Sequence, residues 1–359
     1  MELTAYSDYF IYITILTIAF SLLIDFIIGD PHFKLHPVNL IGNTISWFKN
    51  IFKTGRSILD KFLGIVLLIS VILIFCIPIY IFQIYFWWIW YFWDSKGWKN
   101  PSFLSILIFS LIMGFLLKWT FAIKDLGDST LKIGKALNQG DLEKARSFLS
   151  LIVRRDTKFL DESHVISATV ECIAESSTDA VISVFWFYLM GNLLGVLFYI
   201  LFYSHFSLLF LGIPFAYTFR IINTADSIIG YKDTENINIG WFSARMDDFS
   251  NYIPARLTVL FMLLVGKLIK KDIKNAWNVL KSDRNITESV NAGWIMGAMA
   301  GLLNVQLEKI GSYKLGIPNH ILEQGDIKIA YRIFKLTTIL FVAIVSTIII
   351  LMIYLLFLF

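Results

Sequence analysis

Between Phe62 and Trp93 the chain runs for 32 residues without one Asp, Glu, Lys or Arg. A helix that crosses a bilayer needs about 20 consecutive apolar residues, so this run is longer than one span requires. It ends in YFWWIWYFW (Tyr85–Trp93), the composition of an aromatic belt at a membrane–water boundary. Further uncharged runs cover Tyr9–Ile24, Asn100–Leu117, Ala180–Phe219 and Leu336–Phe359. Ala180–Phe219 has 40 residues, enough for two spans joined at Tyr203-Ser204-His205. With 57% hydrophobic and 16% charged residues and a mean hydropathy of +0.68, a soluble single-domain enzyme is excluded. The expected fold is an all-α polytopic membrane protein, with about six transmembrane helices and helical cytoplasmic inserts.

The charges collect in four segments, 29–61, 118–179, 220–256 and 267–335. Six spans with the N-terminus outside put all four on one side, and the positive-inside rule makes that side cytoplasmic. This predicts a single integral membrane domain over 1–359, with inserts 118–179, 220–256 and 267–335. Leu257–Gly266 is short for a span and reads as re-entrant or as a buried helix. Residues 9–28 lack the basic flank and cleavage site of a signal peptide and read as a retained span. The net charge of +4 suits a basic membrane face better than nucleic-acid binding. Cys76 and Cys172 are too far apart to suggest a zinc site or a disulfide framework.

The richest polar stretch is Phe219–Arg256. It carries Arg220, Asn223, Asp226, Tyr231, Lys232, Arg245, Asp247, Asp248, Asn251 and Arg256 between two uncharged blocks. Charged groups at the edge of hydrocarbon are costly and usually functional, although a plain cytoplasmic loop would also be basic. Near the N-terminus, Asp25-x-x-x-Gly29-Asp30-Pro31 leads to His36-Pro37. Two prolines there predict a rigid turn carrying Asp30 and His36. Gly140-Asp141 predicts a turn and N-cap before a helix through Ile152, and a second helix starts near Asp161. On it, Glu171, Glu175 and Asp179 recur at i, i+4 and i+8. Three aligned acids repel by a few tenths of a kcal/mol per pair, which suits a Mg²⁺ site better than a structural helix. A solvated stripe, or one paired with Arg154 and Arg155, is the alternative. Gly293, Gly297 and Gly301 share another helix face, for close helix packing or for a flat ligand against bare backbone.

Taken together, these blocks resemble the membrane-bound adenosylcobinamide-phosphate synthases of cobalamin biosynthesis. The matching blocks, in chain order, run from GDPxxxxHPVxxIG (Gly29–Gly42) and GDLxxARxxLSxIVxRDT (Gly140–Thr157) to VExxAE (Val170–Glu175) with Asp179. They continue with NTxDSxxGYK (Asn223–Lys232), ARxDDxxNxxPARLT (Ala244–Thr258) and SxNAGWxxxAMAGLL (Ser289–Leu303), followed by LEKIGSYKLG. Departures from the family pattern are Ser176, Ala180, Val290 and Ile295, and Arg284-Asn285-Ile286-Thr287 in place of a His-rich piece.

The resemblance implies an ATP-dependent ligase that joins aminopropanol, or its phosphate, to the propionate of adenosylcobyric acid, with Mg²⁺ required. It implies a multi-pass protein of the cytoplasmic membrane whose active face is cytoplasmic and whose partners are a corrinoid and the lipid bilayer. An oligomer stays open. No Walker A or kinase signature is present, so ATP would be held by dispersed contacts. On this reading His36, Arg155, Asp156 and Arg245 are the catalytic candidates, with His36 either a base for the amine or a brace for its turn. Arg220, Asn223, Tyr231, Lys232, Asn251, Arg256, Asn291 and Gly293 are candidates for substrate and phosphate binding. Asp30, Glu171, Glu175, Asp179, Asp226, Asp247 and Asp248 are candidates for metal. Asn223-x-x-Asp226 with Asp247-Asp248 leaves room for a Mg-diphosphate prenyltransferase. A non-catalytic membrane sensor or assembly protein is a further alternative.

Overall fold

The computed structural model describes residues 2–31, 36–93, 102–202 and 211–358. The junction at Tyr203-Ser204-His205 and the start of the Asn100 span lie outside the described residues. The chain forms two compact units, described here one at a time.

The first unit comprises residues 1–122, 184–249 and 343–359. It contains α1 (Glu2–Ile28), α2 (Pro37–Phe52), α3 (Ser57–Trp93) and α4 (Phe103–Lys118). Several of these helices are apolar on nearly every face, as expected of helices immersed in lipid. On α3, Ile69, Leu73, Ile77, Ile81 and Tyr85 are exposed at four-residue intervals, while Leu67, Leu68 and Val71 are fully buried. Such an apolar stripe is costly in water and is satisfied by hydrocarbon. Gly114 lets α4 press against α1: a Cβ there would lie 2.8 Å from the Cβ of Phe20. Small residues at a crossing are the usual device for close approach between membrane helices.

The second unit comprises residues 123–183 and 250–342. It starts with α5 (Lys124–Asn138), α6 (Leu142–Leu149) and α7 (Glu162–Ser177). Asp141 caps α6 as the sequence predicts and Asp161 caps α7, accepting from the backbone N–H of Lys144 and His164 respectively. A π turn, Thr178–Ile182, follows α7 directly. The next helix in the chain, α8 (Ser183–Phe202), belongs almost entirely to the first unit, as do α9 (Gly212–Ile229) and α10 (Trp241–Ser250). The second unit resumes with α11 (Tyr252–Leu268), α12 (Ile273–Asp283) and α13 (Ala292–Leu303). A hairpin of β1 (Gln306–Lys309) and β2 (Tyr313–Gly316) follows, pairing Lys309 with Tyr313 across Ile310-Gly311-Ser312. Gly311 supplies the positive φ (+72°) that this short loop needs. The last helix, α14 (Gln324–Leu358), ends in the first unit.

Five helical runs are long and apolar enough to cross a membrane: Ile11–Ile28, Ser57–Ile89, Glu162–Phe198, Trp241–Leu268 and Gln324–Leu355. Phe103–Lys118 and Ala292–Leu303 are shorter apolar helices. The chain is an all-α polytopic membrane protein carrying one small hairpin. Three expectations change. Leu257–Gly266 is not an isolated fragment but part of the 28-residue run Trp241–Leu268. Arg220, Asn223 and Asp226 sit on the last turns of α9 rather than in a loop. The stretch 219–256 is also divided, with residues up to Phe249 in the first unit and those from Ser250 in the second.

Candidate functional site

In the first unit Asp25 and Asp30, at and just after the end of α1, gather on Lys118, the final residue of α4. Lys118 is 1% exposed, and its Nζ lies 2.7 Å from Asp30 Oδ1 and 3.5 Å from Asp25 Oδ1. An ammonium at the C-terminus of a helix also meets the favourable end of the macrodipole. His36 caps α2, with Pro37 at the first helical position. Its Nδ1 accepts from the Val38 N–H at 3.2 Å, which leaves Nε2 as the nitrogen that donates to Asp30, 3.0 Å away. The Trp119 ring closes the arrangement edge-on at 4.9 Å. Burial alone would raise the Asp30 carboxyl, but the bonds and charges of His36 and Lys118 outweigh it and hold the pKa at about 2. Both ring nitrogens of His36 are therefore engaged in this structure, one with Asp30 and one with the first turn of α2.

A second group in this unit links α9 to α10. Arg220 donates through Nε to the Thr120 carbonyl at 2.7 Å, and Asn223 donates to Asp247 Oδ1 at 3.2 Å. Arg245 is exposed on α10, and Tyr231 and Lys232 follow the end of α9 and are exposed as well. Asp226 lies in the last turn of α9, and Asp248 follows Asp247 on α10.

In the second unit the acidic stripe divides. Glu171 is buried. Its carboxylate is bound by the Arg155 guanidinium, by Ser167 Oγ at 2.8 Å and by the Tyr313 hydroxyl at 3.0 Å. Ser167 also accepts from the Glu308 N–H at 2.8 Å, so the hairpin is tied to α7 at this carboxylate. Burial first, and then the charges of Glu171 and Glu175, raise the Tyr313 phenol well above its ordinary pKa, so it stays a donor. Glu175 is exposed and accepts no hydrogen bond from any described residue. Asp179 falls inside the π turn that follows α7. Asp156 is exposed and accepts from the Lys158 N–H. Among the described residues no group of three or more His, Cys, Asp or Glu side chains converges with metal-holding geometry.

Asn251 and Gly293 are both buried. Asn251 is buried and accepts from Ser183 Oγ at 2.6 Å. A Cβ on Gly293 would lie 2.4 Å from the Arg284 carbonyl oxygen, and one on Gly301 would lie 2.4 Å from Ala276 Cα. The glycine face of α13 packs against α12 and the turn after it. Asn291 accepts from Arg256 Nη1 at 2.6 Å.

Sequence reasoning missed Lys118, Ser167 and Tyr313. Lys118 had a readable signal, as the charge that closes an uncharged run and so demands a partner. Tyr313 had a weaker one, the alternating residues on either side of Gly311.

A family model described as CobD/Cbib protein matches residues 18–340. The chain is 32% identical over 321 residues to the "Probable cobalamin biosynthesis protein CobD" of Methanothermobacter thermautotrophicus, covering 89% of this chain and 93% of that one. It is 31% identical over 297 residues to the "Cobalamin biosynthesis protein CobD" of Dehalococcoides mccartyi, covering 82% and 84%. With the corresponding protein of Pyrococcus furiosus it shares 31% over 333 residues, covering 93% and 98%. No solved structure matches the chain. The identity is spread across nearly the full length and the family model takes in every polar group described above, so the chain belongs to the CobD/Cbib protein family.

Proposed function

We propose that this protein is a membrane enzyme of cobalamin biosynthesis, an ATP-dependent amide ligase that joins aminopropanol or its phosphate to the propionate of adenosylcobyric acid. The observation that carries this reading is the near full-length match to relatives named for cobalamin biosynthesis. A carboxylate is a poor electrophile at neutral pH. In this scheme the propionate oxygen attacks the γ-phosphorus of ATP and ADP leaves. The amine nitrogen, having lost a proton, then attacks the acyl carbon and inorganic phosphate leaves. Such chemistry depends on positioning and on charge stabilisation more than on covalent help from the protein.

The arginines divide accordingly. Arg155 and Arg220 are taken by Glu171 and by the Thr120 carbonyl. Arg245 is exposed and makes no hydrogen bond with any described residue, so its fork is open to phosphate oxygens.

The three-carboxylate cage for Mg²⁺ does not fit, because the oxygens of Glu171 are occupied. Mg²⁺ more often uses one or two carboxylates together with phosphate oxygens and water, and Glu175 suits that role. When bound, the ion supplies charge neutralisation of the phosphates.

The test uses purified protein with adenosylcobyric acid, aminopropanol or its phosphate, and Mg·ATP. Amide formation coupled to ATP consumption is expected. Amide formed without ATP removes the acyl-phosphate step. Folded protein that forms no amide with either donor removes the ligase assignment. The same reading puts the catalytic face in the cytoplasm, with Asp128 and Glu235 on that side. Cysteines introduced at those two positions should resist an impermeant reagent in sealed cells, and labelling of either rejects this orientation.

A further inference from the structure

A cleft of about 500 Å³ opens in the second unit where the first turn of α11 meets the turn between α12 and α13. Two guanidiniums line it, those of Arg256 and Arg284, with the rings of Tyr252 and Trp294 and the hydroxyls of Thr287 and Ser289. No acidic residue is among its lining residues. Arg256 is held in place: its Cζ lies 3.7 Å from the Tyr252 ring centroid and 4.7 Å from that of Trp294. Nη1 donates to Asn291 Oδ1 and to the Tyr252 carbonyl. Arg284 Cζ lies 5.0 Å from the same Trp294 centroid, and its guanidinium makes no hydrogen bond and no ion pair with any described residue.

Two cations gathered on one indole, facing a common cleft without a carboxylate, repel each other unless an anion joins them. The aromatic faces are already used to orient the guanidiniums, so the unmet demand is for acceptor oxygens rather than for a stacked base. Thr287 donates its hydroxyl to the Ser289 carbonyl, so the donors left are the Arg284 fork, the remaining N–H groups of Arg256 and the Ser289 hydroxyl, and the anion that suits them is tetrahedral, doubly charged and rich in oxygen.

We propose that this cleft is a binding site for a phosphate monoester, with Arg256 and Arg284 holding its dianionic oxygens and Ser289 and Thr287 beside it. The inference rests on the cleft and not on the ligase reading, and loss of one leaves the other standing. The ester has two sources, a soluble phosphomonoester or the headgroup of a membrane lipid such as phosphatidic acid.

The test is equilibrium binding of radiolabelled inorganic phosphate to the full chain in neutral detergent, for wild type and Arg284→Gln. Arg284 is exposed and its guanidinium makes no hydrogen bond with any described residue, so the variant should fold, with an unchanged melting temperature as its control. Saturable binding that weakens at least about tenfold in Arg284→Gln, with Arg284→Lys in between, is expected. Equal binding in wild type and Arg284→Gln, or none in wild type, overturns the proposal.

A second arm places both proteins in nanodiscs of phosphatidylcholine with or without phosphatidic acid and repeats the titration. Phosphate binding abolished by phosphatidic acid in wild type assigns the site to a lipid headgroup. Binding that persists in its presence assigns the site to a soluble ester.

Discussion

Lys118 and Arg284 are both cations at the margin of apolar helices, and their surroundings are opposite. Lys118 is 1% exposed and sits against two carboxylates. Arg284 is exposed, shares one indole with a second guanidinium and faces a cleft lined by no acidic residue. Burying a charge is tolerable only when the counter-charge comes from the protein itself, because water cannot supply it. At the surface the counter-charge can be left to a ligand. The difference separates charges that hold the fold from charges available to bind.

Replacing each cation is the strongest way to break the comparison. Lys118→Met leaves Asp25 and Asp30 without their shared counter-ion, and a buried pair broken from one side costs about 3 to 5 kcal/mol. Arg284→Gln should change stability by no more than about 0.5 kcal/mol. Denaturant unfolding in detergent reads both. Equal stabilities for the two variants would erase the distinction.

Glu171 and Glu175 repeat the contrast four residues apart. Glu171→Gln removes the charge that holds Arg155 and weakens the bond to Tyr313, at a cost of about 2 to 3 kcal/mol. Glu175→Gln touches no hydrogen bond and should leave stability unchanged while raising the Mg²⁺ concentration needed for amide formation. An unchanged Mg²⁺ requirement in a folded Glu175→Gln protein would remove Glu175 from the metal.

The acid limb of stability sharpens the account of Asp30. Its folded pKa of about 2 is below its ordinary value of 3.8, so its contribution is present above about pH 4 and is lost as pH falls through about 2. The carboxylate is 24% exposed, and screening by water limits the contribution to about 1 to 2 kcal/mol. The difference between wild type and Asp30→Asn should therefore shrink between pH 4 and 2. A difference that stays constant across that window would show that the carboxylate charge contributes nothing.

Much of this was legible in the sequence, for identifiable reasons. Membrane character follows from uncharged runs, which are local. The caps Asp141 and Asp161 follow from chemistry within four residues. What escaped was long-range. The partners of Lys118 lie about ninety residues earlier, and the hydroxyl that reaches Glu171 comes from a hairpin more than a hundred residues later. The acidic stripe presumes one continuous α-helix, and its third member instead lies in the π turn at Thr178–Ile182. A π turn has no marker in residue type. The cleft formed by Arg256 and Arg284 was hidden because its residues come from three separate segments, and only the first was noticed for its charge.

The glycines of α13 give the smallest expected effect and the cleanest separation between packing and ligand contact. A Cβ on Gly301 would lie 2.4 Å from Ala276 Cα, and Gly301→Ala must push α12 away. A Cβ on Gly297 meets only Leu280 Cα at 3.8 Å, which is ordinary contact. Alanine is favoured over glycine in a helix by up to about 1 kcal/mol, so Gly297→Ala should be neutral or slightly stabilising and should leave corrinoid turnover unchanged. If this face instead carried a flat ligand, the added methyl would raise the KM for the corrinoid without altering the melting temperature. That result would return the glycines to the binding site and remove α12 as the reason for them.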